Sequence, residues 1–337
     1  MSAMVYVVII GFGLAAFIIV LLYQLIFTVR MSFLERVLFF IILTGIVITS
    51  AYIRLQYVEK GTIEAKILGP IAAPIEKSVE AIHQTQESKE LENIVLPIIN
   101  KAKGKYAVAI ENLKTGETYE LNENEEFASA SLYKLWVMAL VFKNIKEGKL
   151  TLDQKLSADV PTLNKRFGID EENAELKEGV VSYTVKEALE QMITISHNYA
   201  ALLLHARVGV KNTQTMLNSY QLTSSHTGTP PMTSAKDISS FYKLLYNGEL
   251  IDGSSSQQMI EILKRQKFND RIPKYLPDET VAAHKTGELD GVKHDAGIVY
   301  SPKGNYIIVL MSDTSNETTA SEVEANISKE VWDYFNR

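Results

Sequence analysis

The sequence predicts an α+β fold: an antiparallel sheet flanked by helices with an inserted all-helical subdomain, preceded by two transmembrane helices. Three observations carry this reading. Two long apolar runs, almost free of charge, open the chain. A strand–turn–strand pattern then precedes a block of helical periodicity. Three strand patterns and a helix close the chain, an order unlike the alternation of βαβ units.

The first apolar run, Met4 to Phe27, has 24 residues with Gln24 as its one strongly polar side chain. At about 1.5 Å per residue it makes a helix roughly 36 Å long, enough for a hydrocarbon core of about 30 Å. The second run, Val37 to Ile53, has 17 residues, the short end of the spanning range. Arg30 and Arg36 mark the short link between them. The positive-inside rule puts that link in the cytoplasm and the chain after Ile53 outside, although Arg54, Lys60 and Lys66 pull the other way. A cleaved signal peptide would need a basic leading region and a shorter apolar core, with no second run behind it. Residues 1–53 are therefore expected to be a membrane anchor that meets lipid through residues 4–27 and 37–53. The expected location is the plasma membrane, with the remainder extracytoplasmic.

The whole chain has 337 residues, 46% hydrophobic, with a formal charge of −6 and no cysteine. The only charges in residues 1–53 are Arg30, Glu35 and Arg36, a net of +1, so the remainder carries −7. That balance excludes a general nucleic-acid binder, which needs a basic face. The absence of Cys excludes disulfides, thiolate metal sites and a Cys nucleophile. The six histidines (83, 197, 205, 226, 284, 294) show no metal-ligand spacing. Neither a metal nor another cofactor is expected.

Residues 54–87 mix charges with Pro70 and Pro74 and read as a juxtamembrane stalk, partly helical where Ile75, Val79 and Ile82 recur at helical spacing. Residues 88–337 read as one compact domain. Tyr106–Asn112 and Glu117–Leu121 form a hairpin about Lys114-Thr115-Gly116. Ser131–Lys146 is a helix with an apolar middle, and Gly148 is placed to end it. Val185–Ile193, Ala200–Val208 and Asp237–Tyr246 are further helices. Thr280–Lys285, Gly297–Tyr300 and Tyr306–Met311 are strands, the last two joined by Ser301-Pro302-Lys303-Gly304-Asn305. Ser321–Phe335 closes the chain with Val323, Ile327, Val331 and Tyr334 on one face. Strands from the two ends are expected to share one sheet.

Three short segments carry chemistry. In Ser131-Leu132-Tyr133-Lys134 the serine and lysine lie three apart and share a helix face. A lysine in an apolar setting can lose its proton and act as base for a serine, and a helix start offers free N–H groups to an oxyanion. The same pattern also fits an N-cap serine and a surface lysine. Ser196-His197-Asn198 offers a hydroxyl and an amide just before a helix. Lys285-Thr286-Gly287 offers a cation and a hydroxyl at a strand end, with a glycine that leaves room for close approach.

Together and in this order, the three segments resemble the Ser-x-x-Lys, Ser-Asp-Asn and Lys-Thr-Gly set of class A β-lactamases and penicillin-binding proteins. Phe127-Ala128-Ser129-Ala130, Gly148-Lys149-Leu150-Thr151-Leu152, Tyr183-Thr184-Val185 and His294-Asp295-Ala296-Gly297 extend the resemblance over residues 88–337. It implies a β-lactamase/transpeptidase-like fold and a serine hydrolase that acts through an acyl-enzyme. Ser131 would be the nucleophile and Lys134 its base or a partner to one. Ser196 would relay a proton to the leaving nitrogen, and Asn198 would hold the substrate amide. Lys285 and Thr286 would bind the substrate carboxylate. The backbone N–H groups of Ser131 and of Glu288, the residue after Gly287, would form the oxyanion hole. The implied partner is a β-lactam or a cell-wall D-Ala peptide, or a related amide or ester.

Two departures stand out. His197 replaces the usual Asp of the second motif, a position expected to affect packing more than chemistry. Class A enzymes also carry a Glu-x-x-Leu-Asn loop whose glutamate activates the deacylating water, whereas no Asp or Glu occurs here from Ser196 to Lys236. Gln214 to Asn218 stands too early, inside a helical run, to supply that loop. Losing a general base costs on the order of 10²–10⁴ in rate, so acylation looks equipped and fast deacylation does not. The expected function is thus a membrane-anchored serine hydrolase that is slow to deacylate. The alternative is a penicillin-binding sensor or binding protein, acylated once without turnover.

Overall fold

A computed structural model of the chain describes residues 86–337. The expected membrane runs at 4–27 and 37–53, and residues 54–85 of the expected stalk, lie outside the described residues. Among the described residues no helix is long and apolar enough to cross a membrane.

The elements follow in chain order. β1 (Gln86–Glu87), α1 (Lys89–Ile99), β2 (Lys105–Asn112), β3 (Glu117–Leu121) and β4 (Glu126–Ala128) come first. The helical block runs through α2 (Tyr133–Lys146), β5 (Lys155–Asp159), α3 (Val160–Phe167), β6 (Val180–Thr184), α4 (Val185–Thr194), α5 (Asn198–Val208), α6 (Val210–Ser219), β7 (Met232–Ser234), α7 (Ala235–Tyr246) and α8 (Gly253–Leu263). β8 (Val281–Leu289), β9 (Val292–Tyr300), β10 (Tyr306–Asp313) and α9 (Glu317–Phe335) complete the chain. Strands from both ends do share one sheet, six-stranded in the order β1-β3-β2-β10-β9-β8. Every pairing in it is antiparallel except β1 with β3. The two residues of β1, at the end of the expected stalk, thus join the sheet edge. β4 pairs with β7 and β5 with β6 in two small sheets.

Both faces of the large sheet are covered, which explains why its central strands β2 and β10 are buried almost throughout rather than alternately. Ile307, Val309 and Met311 of β10 face the helical block, while Tyr306, Ile308 and Leu310 pack on α1 and α9. At the centre of the helical block lies α2, buried from Lys134 through Phe142, as its apolar middle requires. Gly148, at φ +69°, follows its C-cap. Thr184 and Glu187 form a capping box at the start of α4.

Two differences from the sequence expectation have physical reasons. β8 runs on through Lys285-Thr286-Gly287 to Leu289, because pairing with β9 carries polar residues that pattern alone would end. The link is the two-residue turn Asp290-Gly291, with Gly291 at φ +74°. The helix α8 escapes the pattern because its first six residues are Gly, Ser and Gln; only Met259, Ile260 and Leu263 bury an apolar face. Pairing of β8 with β9 also depends on Gly297, where a Cβ would lie 2.5 Å from His284 Cβ and 2.6 Å from the Ala283 carbonyl oxygen.

Candidate active site

Ser131 lies in a 3-10 turn, Ala130–Leu132, that leads directly into α2. Ala130 holds φ +45° and Ser196 holds φ +58°. Left-handed backbone at a non-glycine residue costs about 1–3 kcal/mol, so the surroundings must fix both. Around Ser131 they do. The Ser129 N–H donates to the Pro231 carbonyl at 2.7 Å. His294 Nε2 lies 2.9 Å from the Ala128 carbonyl, and the Ser312 N–H reaches His294 Nδ1 at 3.2 Å. Nδ1 also lies 2.6 Å from the Lys293 carbonyl, so both ring nitrogens are engaged. Burial lowers the His294 pKa to about 4, so the ring stays neutral. Gly287 lets β8 close on the turn: a Cβ there would lie 3.2 Å from the Ser129 carbonyl oxygen and 3.3 Å from Ala130 Cβ.

Lys134 stands one helical turn beyond Ser131 and is wholly buried. Its Nζ donates to the Ser196 carbonyl at 2.5 Å, to Ser196 Oγ at 3.0 Å and to Asn198 Oδ1 at 2.7 Å. Burial lowers its pKa to about 7, against a smaller opposing pull from the Glu175 carboxylate. Lys285 is also wholly buried and donates to Ser196 Oγ at 3.1 Å and to the Thr286 carbonyl at 2.7 Å. Burial, and then the charge of Lys134, push its pKa well below that of a free lysine, with Asp295 opposing. Ser196 Oγ therefore sits between two amine nitrogens. A hydroxyl that accepts from both keeps its own proton to donate elsewhere.

Asn198 begins α5, and the residue before it caps that helix: His197 Nδ1 accepts the Ala200 N–H at 3.1 Å. A ring nitrogen here performs the capping usual for a carboxylate, which explains how His fits this position. Asn198 Nδ2 donates to the Glu175 carboxylate. Thr286 is buried beside Lys285 and stands opposite Asp295 across the β8–β9 ladder. Asp295 in turn accepts the Ile272 N–H at 3.0 Å and lies 2.8 Å from His284 Nδ1. The Glu288 side chain is engaged outside this cluster, pairing with Arg271 and, at 3.0 Å, with Lys293.

Hydrogen bonds thus join Lys134, Ser196, Asn198 and Lys285 directly. Ser131 is brought to the group by the turn before Lys134, and Gly287 packs against that same turn. After α6 the chain reaches β7 through residues 220–231, which contain no carboxylate. Gln214 holds this segment: its Nε2 donates to the Ser225 carbonyl at 3.1 Å, and its Oε1 accepts the Thr227 N–H at 2.9 Å. Met216 and Leu217 are buried core, as the sequence suggests. Two residues escaped the sequence reading. Glu175 lies in an irregular segment without periodicity. Arg271, wholly buried, donates to the His294 carbonyl at 3.1 Å from a segment that no motif marks.

Known proteins share this fold. VEB-1, a β-lactamase of Pseudomonas aeruginosa, is 24% identical over 276 residues, spanning 73% of this chain and 91% of that protein. The structure of PBP-A superposes with a TM-score of 0.66 at 23% identity, covering 74% of this chain and 97% of that one. A β-lactamase from Chitinophaga pinensis DSM 2588 gives a TM-score of 0.64 at 24% identity, covering 74% of this chain and all of that one. These likenesses establish a β-lactamase-like α+β fold. The family model described as "Beta-lactamase enzyme family" matches residues 88–335. With so much of its length matched, the chain belongs to the beta-lactamase enzyme family.

Proposed function

We propose that this protein is a membrane-anchored serine hydrolase that forms an acyl-enzyme on Ser131 with β-lactams or D-Ala peptides and releases it slowly. The observation that carries the reading is Lys134, a buried amine with pKa about 7, one turn from Ser131 and in hydrogen-bond contact with Ser196 and Asn198. Near neutral pH a large share of it is an unprotonated amine, able to take the Ser131 proton as Oγ attacks the substrate carbonyl. Ser196, accepting from Lys134 and Lys285, gives its proton to the leaving nitrogen. The remaining N–H of Asn198 meets the substrate amide, and Lys285 with Thr286 draws the substrate carboxylate. The backbone N–H groups of Ser131 and Glu288 stabilise the oxyanion.

Slow release follows from residues 220–231, where no carboxylate stands ready to activate water. A related precedent is an acyl-enzyme complex with penicillin G, obtained for a mutant of PBP-A. The same feature favours a second reading, a sensor or binding protein acylated once. Residues 1–53 serve as the anchor and 54–87 as the stalk, so that the domain at 88–337 meets its substrates outside the plasma membrane. To test this, the full chain in detergent is mixed with a chromogenic cephalosporin while colour and intact mass are followed. A stoichiometric colour burst with an adduct absent from Ser131→Ala supports the proposal. Sustained rapid turnover identifies an efficient β-lactamase instead, and unchanged activity in Ser131→Ala refutes the site.

A further inference from the structure

The segment between α3 and β6, residues 168–179, carries Asp170, Glu171, Glu172, Glu175 and Glu178 against the single cation Lys177. It is irregular, yet one point of it is pinned by buried polar groups. The Leu176 N–H donates to Tyr199 Oη at 3.1 Å. The Leu176 carbonyl lies 2.8 Å from Tyr199 Oη and accepts from Asn164 Nδ2 at 2.9 Å. Tyr199 is 2% exposed and Asn164 8%. Tyr199 also directly follows Asn198, so the anchor ties this segment to the second motif. The neighbouring Glu175 carboxylate is thereby held on Asn198 Nδ2 while Lys134 holds Asn198 Oδ1. An amine donor on the oxygen and a carboxylate on the nitrogen fix which way the amide points. One N–H of Nδ2 is left for a substrate carbonyl. A substrate amide that takes this N–H lies beside an exposed carboxylate.

We infer that Glu175 is a specificity-determining residue that favours substrates carrying an ammonium group next to the amide bound by Asn198. The inference rests on the acyl-enzyme reading above. Ion pairing of that ammonium with Glu175 lowers the barrier to acylation for such substrates and leaves uncharged analogues unaided.

Benzylpenicillin and ampicillin form the test pair, because they differ by one amino group on the carbon beside the amide carbonyl. Second-order acylation rates of the full chain are read by quenched intact mass at about pH 6.5, below the ordinary α-amino pKa. The ampicillin-to-benzylpenicillin ratio is expected to fall about two- to fivefold in Glu175→Gln, the range of an exposed ion pair. It should hold in Glu178→Gln, which removes a charge from the same segment. Because both rates come from one preparation, any loss of folded protein cancels in the ratio. A ratio unchanged in Glu175→Gln, or lowered equally in Glu178→Gln, overturns the inference while leaving the acyl-enzyme reading intact. Labelling by neither lactam in the wild-type chain overturns both.

Discussion

At the scale of single residues, the proposed chemistry turns on two lysines whose pKa values burial lowers. If Lys134 takes the proton from Ser131, acylation requires its neutral form. The acylation rate should rise with pH through about 7 and level off above it, measured by stopped-flow with a chromogenic lactam. Glu175 favours the cation, so Glu175→Gln should move that rise to lower pH. Lys134→Arg keeps the charge and cannot be deprotonated; the expected loss in acylation is on the order of 10²–10⁴. A profile that is flat from pH 6 to 9, or an active Lys134→Arg, would remove Lys134 from the role of base. The sequence revealed these lysines because Ser-x-x-Lys and Lys-Thr-Gly are contiguous. It could not reveal Glu175 or Arg271, which reach the site through irregular segments whose paths depend on buried anchors such as Tyr199.

At the scale of elements, the closeness of β8 to the Ser131 turn rests on absent side chains. Gly287→Val would set a branched side chain against the Ser129 carbonyl and Ala130. It should slow acylation at least tenfold while the fold persists, as read by circular dichroism. Wild-type acylation in that variant would show that the approach of β8 is dispensable. On the opposite face of the sheet, α9 buries Glu324 with neither carboxylate oxygen in a hydrogen bond. Burial raises its pKa well above the ordinary value, so folding takes up a proton there above about pH 4.5, and stability is lost as pH rises. Glu324→Gln should stabilise the protein by about 1 kcal/mol at pH 8 in urea titrations, with less gain at pH 5. An equal change at both pH values would contradict this. Most elements were legible as patterns, the α2 core helix and β10 above all, since burial on every side leaves an unbroken apolar run. The strand continuing through Thr286 to Leu289 was not, because pairing with β9 rather than composition sustains it.

At the scale of the whole molecule, a β-lactamase-like domain spends stability on its site. Lys134 is charged in the unfolded chain up to about pH 10.5 but titrates near 7 when folded. Between those values the unfolded state binds more protons, so this residue makes stability increase with pH. Lys134→Met should therefore be favoured over wild type most at pH 7, with the gap narrowing toward pH 9 in urea midpoints; a pH-independent gap would deny the shift. The order of strands, helical block and strands made the class legible, since only a sheet joining both ends buries all the apolar faces. The same order says nothing about how long a product stays bound. In the proposed function that lifetime turns on residues 220–231, which hold no carboxylate. The most direct measurement is therefore the lifetime of the covalent state. The full chain is labelled with benzylpenicillin, freed of excess ligand and followed by intact mass. One adduct, mapped to Ser131 and persisting for many minutes, is the expected result. Return to the unmodified mass within a second, or a stable adduct on any other residue, would contradict it.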